Sequence, residues 1–302
     1  MSDNPIMNIG DLAKPATTLI EKIADAGYIL FGESYRIKQV AKAKAEAAVI
    51  EAESRIEITD LHRRAIHRWI EEEAQYQKNM EDITEKATHQ LNEDADPHAI
   101  DNDWIAQFFD ITRLISDDEV QNIWANILAS EANNPGGFSI RTLNALKSID
   151  KKEAEYFTRL CNFIVRIDRE GSFSDFVPIV LNPNDKIYAQ HGIHHNMLNH
   201  IQNDIGLIEF RYLLGAFHNY RILAEPIESL SITYHGQKLI LKVPKGEYLY
   251  DDGKARVNLG SVTLTKVGFE LCQICETKPI NGFFEYMQTK LQDDINKTLK
   301  TE

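Results

Sequence analysis

The sequence predicts a mixed α+β fold that is predominantly helical, with a long coiled-coil-like helix near the N-terminus, a central helical bundle and a C-terminal α+β domain. Residues 34–91 contain neither Gly nor Pro and are rich in Ala, Glu, Lys, Gln and Ile, which is typical of one long helix. After Gly171, short apolar runs separated by Gly-containing turns replace the helical pattern, which indicates strands.

Four segments follow from these patterns. Residues 1–33 hold an amphipathic helix, residues 34–92 the long helix, residues 93–170 a helical domain and residues 171–302 the α+β domain. The first helix has a membrane-surface interpretation and a packing interpretation. We favour packing, because its polar face carries Glu21 and not the basic cluster that surface-binding helices usually have.

The second half of the long helix has an apolar stripe at alternating three- and four-residue spacing. A helix cannot bury such a stripe alone, so it needs either another part of the same chain or another copy of it. We expect a homo-oligomer, with intramolecular packing as the alternative. The candidate oligomer seam, which Glu73 interrupts, consists of Ile66, Trp69, Tyr76, Met80 and Ile83.

The sequence of the central domain predicts a linker followed by short helices. Residues 92–103 are polar and acidic and include Pro97, which predicts the linker. Ser116 is predicted to cap the helix that begins at Asp117. The apolar spacing predicts helices over 103–115, 117–133, 139–149 and 151–167.

The C-terminal domain shows a helix, a Gly-Leu-Ile step and paired strands, in the order found in winged-helix modules. Pro178 within the first strand predicts a sheet edge. A helix over 195–205 ends at Gly206. Further strands are predicted over 176–181, 231–234, 238–243 and 257–264, and further helices over 266–276 and 283–299.

Charge argues against non-specific nucleic-acid binding by the whole molecule. The net charge is −13, and most of it lies between Glu81 and Asn134, where 13 acidic and two basic residues give a local net charge of −11. The C-terminal half is nearly neutral, so nucleic acid stays open as a partner there. The candidate contacts are Arg211, Lys238, Lys242 and Arg256.

No motif identifies a catalytic or cofactor site. The sequence lacks GxxxxGK[ST], GxGxxG after a strand and GxSxG, so we predict no catalytic residue and no cofactor. His191, His194 and His195 are the candidate metal ligands, against the simpler interpretation of surface histidines. Cys272 and Cys275 form a single CxxC, which is either half of a zinc or redox site or part of a packed helix.

Localisation is predicted to be cytoplasmic. Three cysteines suit a reducing compartment, the first residues lack a signal-peptide pattern, and no apolar run approaches the roughly 18 residues of a transmembrane helix.

The segment ISDDEVQNIWANILASEANNPGGFSIRTLNALKSIDKKEAEYF, residues 115–157, resembles a family of uncharacterised bacterial proteins and the related abortive-infection alpha proteins. IGDLAKPATTLIEKIADA and LTKVGFELCQI also resemble the uncharacterised family. The matching positions in the first segment are Asp118, Glu119, Gln121, Trp124, Ala125, Leu128, Ser139, Leu143, Leu146 and Ala154.

The resemblance implies a role in bacterial defence against phage, with a phage or host protein as partner, and it carries over no catalytic residue. Together with the predicted seam, it makes a non-enzymatic oligomeric interaction protein our first hypothesis. The alternative is a winged-helix nucleic-acid-binding regulator of a prophage or mobile element.

Overall fold

A computed structural model describes residues 13–28, 30, 60–168, 175–210, 212–213, 216–217, 220–222, 229–242 and 256–297 of the 302-residue chain. The chain divides into two compact units, Met1–Lys147 and Ser148–Glu302. The described residues form a mixed α+β, mostly helical fold with small antiparallel sheets, which confirms the predicted class at that level.

The first unit is helical in its described part. Its elements are α1 (Lys14–Asp25), α2 (Asp60–Thr88), a 3₁₀ turn (Pro97–Ala99), α3 (Asn102–Thr112), α4 (Asp118–Asn133) and α5 (Ile140–Ser148), whose last residue falls in the second unit.

Helix α1 is the amphipathic helix that the sequence predicts. Pro15 stands in its first turn, where a missing N–H costs nothing. Its apolar residues Leu19, Ile20 and Ile23 are buried. Beyond its end, the Tyr28 hydroxyl donates to the carbonyl of Ala106 at 3.2 Å. The apolar face therefore packs inside the unit, as the packing interpretation requires.

An aromatic core joins α3 and α4. The Trp104 and Phe108 rings stack with centroids 5.2 Å apart, and Phe108 meets Trp124 edge-on at 5.7 Å. The N-cap of α4 is Asp117, whose carboxylate accepts from the backbone N–H of Val120. The prediction of Ser116 as the cap was wrong by one residue, because an aspartate follows it and takes the same role.

Helix α2 is packed along only part of its 29 residues. Met80, Ile83 and Ala87 are buried, and this half of the helix packs against α4. No residue from Asp60 to Gln75 is buried. The rest of the predicted long helix, residues 34–59, lies outside the described residues.

The predicted linker 92–103 joins α2 to α3, and most of its residues are exposed. The backbone N–H of Asp96 donates to the carbonyl of Ala132 at 3.0 Å. The buried side chains of Pro97 and Ile100 hold the linker against the helices.

The second unit mixes helices and short strands. The elements described are α6 (Lys151–Cys161), β1 (Ile164–Asp168), β2 (Asp175–Pro178), α7 (Lys186–Ala189), α8 (His195–His200) with a π turn (Ile201–Ile205), β3 (Ile208–Phe210), β4 (Tyr212–Leu213), β5 (Ala216–Phe217), β6 (Tyr220–Ile222), β7 (Ser229–Tyr234), β8 (Gln237–Lys242), β9 (Arg256–Asn258), β10 (Val262–Leu264), α9 (Lys266–Cys272) and α10 (Phe283–Lys297).

The largest sheet described has four antiparallel strands in the order β2–β1–β7–β8. The β7–β8 hairpin turns at His235 and Gly236, both with positive φ, as a two-residue hairpin loop requires. Pro178 lies in an edge strand, which confirms the prediction. The pairs β3–β10, β4–β5 and β6–β9 form three separate antiparallel ladders.

Three predicted elements of this unit were wrong in part, and one of them, the helix predicted over 266–276, ends at Cys272. The helix predicted over 151–167 ends at Cys161, and residues 164–168 form a strand. The reason is that Ile164, Val165 and Ile167 are β-branched and the segment has partner strands on both sides. The strand predicted over 257–264 is two strands separated by a turn at Gly260, where φ is +86°.

The core of the unit lies between the four-stranded sheet and α10. The Phe163 ring meets Phe283 edge-on at 4.9 Å, and Tyr234 meets Phe283 at 5.0 Å. Helix α10 contacts β8 and β9 and buries Met287, among others. One sheet face is therefore covered, and on the other face Arg166, Phe176, Lys238, Ile240 and Lys242 are exposed.

Within the described ranges, none of the helices is both long enough and apolar enough to cross a bilayer.

Candidate interaction surfaces

The first candidate surface is the N-terminal half of α2, residues 60–75, called here the α2 arm. Leu61 is 66% exposed and Trp69 is 61% exposed. A lone exposed leucine is ordinary, but a tryptophan exposed on a helical segment with no buried residue is not. Of the predicted seam, Ile66 and Trp69 lie on the α2 arm.

Between Leu61 and Glu73, the charges of the α2 arm are separated along the helix. His62, Arg63, Arg64 and Arg68 come first, and three consecutive acids, Glu71–Glu73, follow. Arg64 forms an ion pair with Asp60 at 3.3 Å, and Arg68 with Glu72 at 3.5 Å, both between neighbouring turns of the exposed helix. Such pairs contribute only about 0.3–0.5 kcal/mol each, so a partner can replace them at small cost.

The remaining predicted seam residues lie in the packed half of α2. Tyr76 is half-buried, with the Arg113 guanidinium 5.4 Å from its ring centroid. Met80 and Ile83 are buried within the first unit. Next to them, the buried amide of Asn79 donates to the carbonyl of Arg113 at 2.7 Å. Intramolecular packing, the alternative stated above, accounts for this half.

The histidine cluster has structural roles that are visible in the geometry. His194 is the N-cap of α8, and its Nδ1 accepts from the backbone N–H of Met197 at 3.1 Å. His191 is exposed and meets Phe163 edge-on at 6.0 Å, and His195 is the exposed first residue of α8. Across the described residues, no group of three or more His, Cys, Asp or Glu side chains is arranged to hold a metal ion.

His200, which the sequence analysis did not select as a site residue, lies between two carboxylates. Its Nε2 is 3.1 Å from Oε1 of Glu153, and its Nδ1 contacts Oδ2 of Asp204. Tyr156 meets the imidazole edge-on at 6.2 Å. Both ring nitrogens therefore face acceptors, which ties α6 to the π turn.

The second candidate surface is the exposed face of the four-stranded sheet. Of the predicted nucleic-acid contacts, Lys238 and Lys242 are exposed on the same face of β8. Arg256 begins β9, in a different ladder, and its side chain is outside the described set, as is Arg211 altogether.

Two further residues of this sheet face escaped the sequence analysis. The strand register places Phe176 beside Arg166, Arg166 beside Thr233, and Thr233 beside Lys238, in one row across the sheet. Phe176 and Arg166 are both exposed. Arg166 was missed because residues 151–167 were assigned to a helix, and the only available signal was the β-branched composition around it.

Residues 115–157, the segment that resembles known families, contribute helix caps and buried core residues. Trp124, Ala125, Leu128 and Leu143 are buried. Gln121 is also buried, and its amide donates to the carbonyl of Ile115 at 3.0 Å. These burials and this hydrogen bond are packing interactions, so these residues support the fold.

The fold thus defines a mixed α+β, mostly helical protein with small antiparallel sheets. The chain belongs to the family of proteins of unknown function DUF2806, whose model matches residues 63–288, from α2 to α10. No curated protein and no solved structure matches the chain.

Proposed function

We propose that this chain is a non-enzymatic interaction protein that self-associates through the α2 arm and acts in bacterial defence against phage. The exposed Trp69 on the α2 arm, where no residue is buried, is the observation that carries the self-association. The defence role is supported by the resemblance of residues 115–157 to the abortive-infection alpha proteins.

The sequence of the arm fits an antiparallel pair of arms. If two copies cross midway between His67 and Arg68, Ile66 of one copy lies opposite Trp69 of the other. The same register sets His62 opposite Glu73, and both lie on the helix face of Ile66 and Trp69. Glu73, which interrupts the predicted seam, thereby gains a basic neighbour. Polar residues within a seam and charges beside it help to fix the register and orientation of paired helices.

A charge exchange tests this arrangement. His62→Glu should weaken self-association several-fold, because it sets two carboxylates opposite one another, and Glu73→Lys is the second change of the exchange. The double variant should restore it, since the exchanged charges again attract. Sedimentation of the full chain, with a monomer mass of 34.5 kDa, measures the oligomer at each concentration.

An apolar control separates the arm from exposed leucines in general. Trp69→Ser should shift the protein to monomer, whereas Leu114→Ser should not, although Leu114 is 56% exposed in the same unit. A wild-type protein that stays strictly monomeric at high concentration would refute self-association.

Phage plating then tests the defence role. Deleting residues 34–91 would remove Ile83 and Ala87 from the core, so point variants of the arm are the cleaner tools. Phage should form fewer plaques on bacteria that express the wild-type chain than on bacteria that express Trp69→Ser. Bacteria that express Leu114→Ser should be protected as well as those with the wild-type chain. Equal plating across a broad phage panel would argue against the defence role while leaving self-association to be judged by sedimentation.

The exposed sheet face supports a second candidate function, a nucleic-acid-binding regulator. Lys238, Lys242, Arg166 and Phe176 combine positive charge with an aromatic ring on one surface, which is how single-stranded nucleic acids are bound. The Gly206 step after the π turn and the β3–β10 ladder are compatible with a winged-helix-like arrangement.

Binding of labelled single-stranded RNA and DNA at rising salt tests this candidate. Lys238→Glu with Lys242→Glu should weaken binding and flatten its salt dependence, because fewer counterions are released. Lys147→Glu, an exposed lysine of α5, serves as the control. Absence of salt-sensitive binding at low ionic strength would exclude this function.

A further inference from the structure

The three cysteines of the chain all lie in the second unit, and all are free thiols. Cys161 is the last residue of α6 and is buried. Cys272 is the last residue of α9, and Cys275 follows in the loop that leads to α10. The apolar spacing predicts one helix over 266–276 that holds both Cys272 and Cys275, but α9 ends at Cys272.

The loop that carries Cys275 is fastened beside Cys161. The Thr158 hydroxyl, one turn before Cys161, donates to the Cys275 sulfur at 3.9 Å. The Asn162 side chain, directly after Cys161, accepts from the backbone N–H of Lys278 at 2.8 Å. Contacts on either side of Cys161 thus hold the loop against the end of α6, which places Cys275 at the turn of the helix that carries Cys161.

The three thiols differ in their readiness to ionise. Donation from Cys161 and the hydroxyl of Thr158 lowers the pKa of Cys275 below that of an ordinary cysteine, against the opposing effect of burial. Burial raises the pKa of Cys161 strongly and raises the pKa of Cys272 to about 12. Since the thiolate is the nucleophile, Cys275 is the first of the three to react.

The orientation of Cys272 sets it apart from the pair. Its thiol donates to the carbonyl of Phe269 at 3.1 Å, within its own helix. The Cys275 thiol donates to the carbonyl of Leu271 at 3.4 Å, and its sulfur also accepts from the Thr158 hydroxyl at the end of α6. The reactive pair therefore joins two elements distant in sequence and is not the CxxC.

We propose that Cys275 is a peroxide-reactive thiol and that Cys161 resolves its oxidised form to a disulfide between α6 and the α9–α10 loop. The Cys275 thiolate attacks one oxygen of a hydroperoxide, the O–O bond breaks, and the departing oxygen takes a proton to leave as water or an alcohol. Cys275 is then a sulfenic acid.

In the second step, the Cys161 sulfur attacks the Cys275 sulfur and the S–O bond breaks. The hydroxide leaves with the Cys161 proton as water. Two thiols lose two electrons in total, and one peroxide is reduced. A cellular dithiol reverses the reaction by exchange.

Peptide mapping of the oxidised full-length protein tests the pairing. Trypsin cleaves after Arg159 and Arg166, which isolates Cys161, whereas Cys272 and Cys275 stay together on the peptide that follows Lys266, because Pro279 protects the bond after Lys278. After equimolar hydrogen peroxide and blocking of remaining thiols, we expect two of the three thiols to be lost and these two peptides to be cross-linked.

Cys272→Ser is the matched variant, since it keeps the proposed pair and removes the CxxC. It should form the same cross-link as wild type, and Cys275→Ser should form none. A bond confined to the peptide that follows Lys266, loss of the cross-link in Cys272→Ser, or retention of all three thiols would each overturn the proposal. Wild type and Cys272→Ser decide the matter even if Cys275→Ser does not fold.

Discussion

The buried carboxylate of Glu131 accepts a hydrogen bond from the backbone N–H of Phe138 at 2.8 Å. The same carboxylate accepts from the N–H of Gly136 at 2.7 Å. It thereby closes the Asn-Pro-Gly-Gly turn between α4 and α5. The adjacent carbonyl of Phe138 accepts from the Trp104 indole at 2.7 Å, so the turn is fixed to the aromatic core.

Replacing Glu131 should therefore destabilise the first unit. Glu131→Ala leaves two backbone donors without their acceptor, which should lower the free energy of unfolding by about 3 kcal/mol. Urea unfolding followed by tryptophan fluorescence reports the change, because Trp104 and Trp124 lie in this core. Glu85→Ala, an exposed position of α2, should change it by less than about 0.5 kcal/mol. Equal effects of the two variants would contradict the assigned role.

Gly268 is required by a close approach of two backbones. A Cβ at this position of α9 would lie 1.9 Å from the carbonyl oxygen of Leu207. Gly268→Ala should therefore force α9 away from residues 206–208 and destabilise the unit by about 3 kcal/mol or more.

Gly236 supplies the control for that variant. It has a positive φ in the β7–β8 turn but open space around it, and asparagine tolerates this conformation. Gly236→Asn should therefore lower the free energy of unfolding only slightly. Thermal unfolding by circular dichroism measures both variants, and a Gly268→Ala protein as stable as wild type would show that the close approach is not maintained.

Tyr188 should make stability depend on pH in the alkaline range. Its buried hydroxyl donates to the carbonyl of Ile179 at 3.0 Å, and burial raises the pKa of the phenol. In the unfolded chain the phenol ionises at its ordinary pKa near 10, so the unfolded state loses protons first. The raised pKa of Tyr188 therefore contributes fully to the free energy of unfolding below a pH of about 10. This contribution is lost as the pH rises toward the pKa of Tyr188 in the folded state.

Tyr188→Phe isolates this contribution. At neutral pH the variant should be less stable than wild type by about 1–2 kcal/mol, through the lost hydrogen bonds. Above pH of about 10 the difference between the two proteins should shrink. Urea unfolding at a series of pH values measures it. A difference that stays constant or widens with pH would contradict the raised pKa.

The contacts of His200 should couple α6 to the π turn. His200→Gln and Glu153→Gln each remove one side of the 3.1 Å contact. In a double-mutant cycle the two changes should be non-additive by about 0.5–1 kcal/mol, because the pair is only partly exposed. Additive effects would show that the contact contributes nothing to stability.

Regular patterns made much of the fold predictable. Apolar spacing gave α1, α3 and α4, and Pro178 indicated a sheet edge. The N-cap of α4 is Asp117 and not the neighbouring Ser116, and the sequence could not separate the two because both side chains suit an N-cap position. Residues 164–168 were misassigned, since an apolar run after a helix continues the helical period until partner strands are known.

The candidate surfaces were harder to predict. Trp69 belongs to a stripe that the sequence shows, but only the structure separates its exposed half from the half that Ile83 buries. Lys238 and Arg166 are far apart in sequence and meet through the strand register. The approach of Cys161 to Cys275 depends on where a loop docks, which local spacing does not encode.

The two edges of the four-stranded sheet have a consequence for aggregation. At one edge, β2 contains Pro178, which cannot donate to a further strand, and at the other, β8 carries Lys238 and Lys242. Proline and lysine at sheet edges oppose the addition of strands from other molecules, because a growing fibril would lose hydrogen bonds and accumulate like charges. This sheet can therefore display apolar Ile240 at its surface without serving as a template for amyloid-like growth.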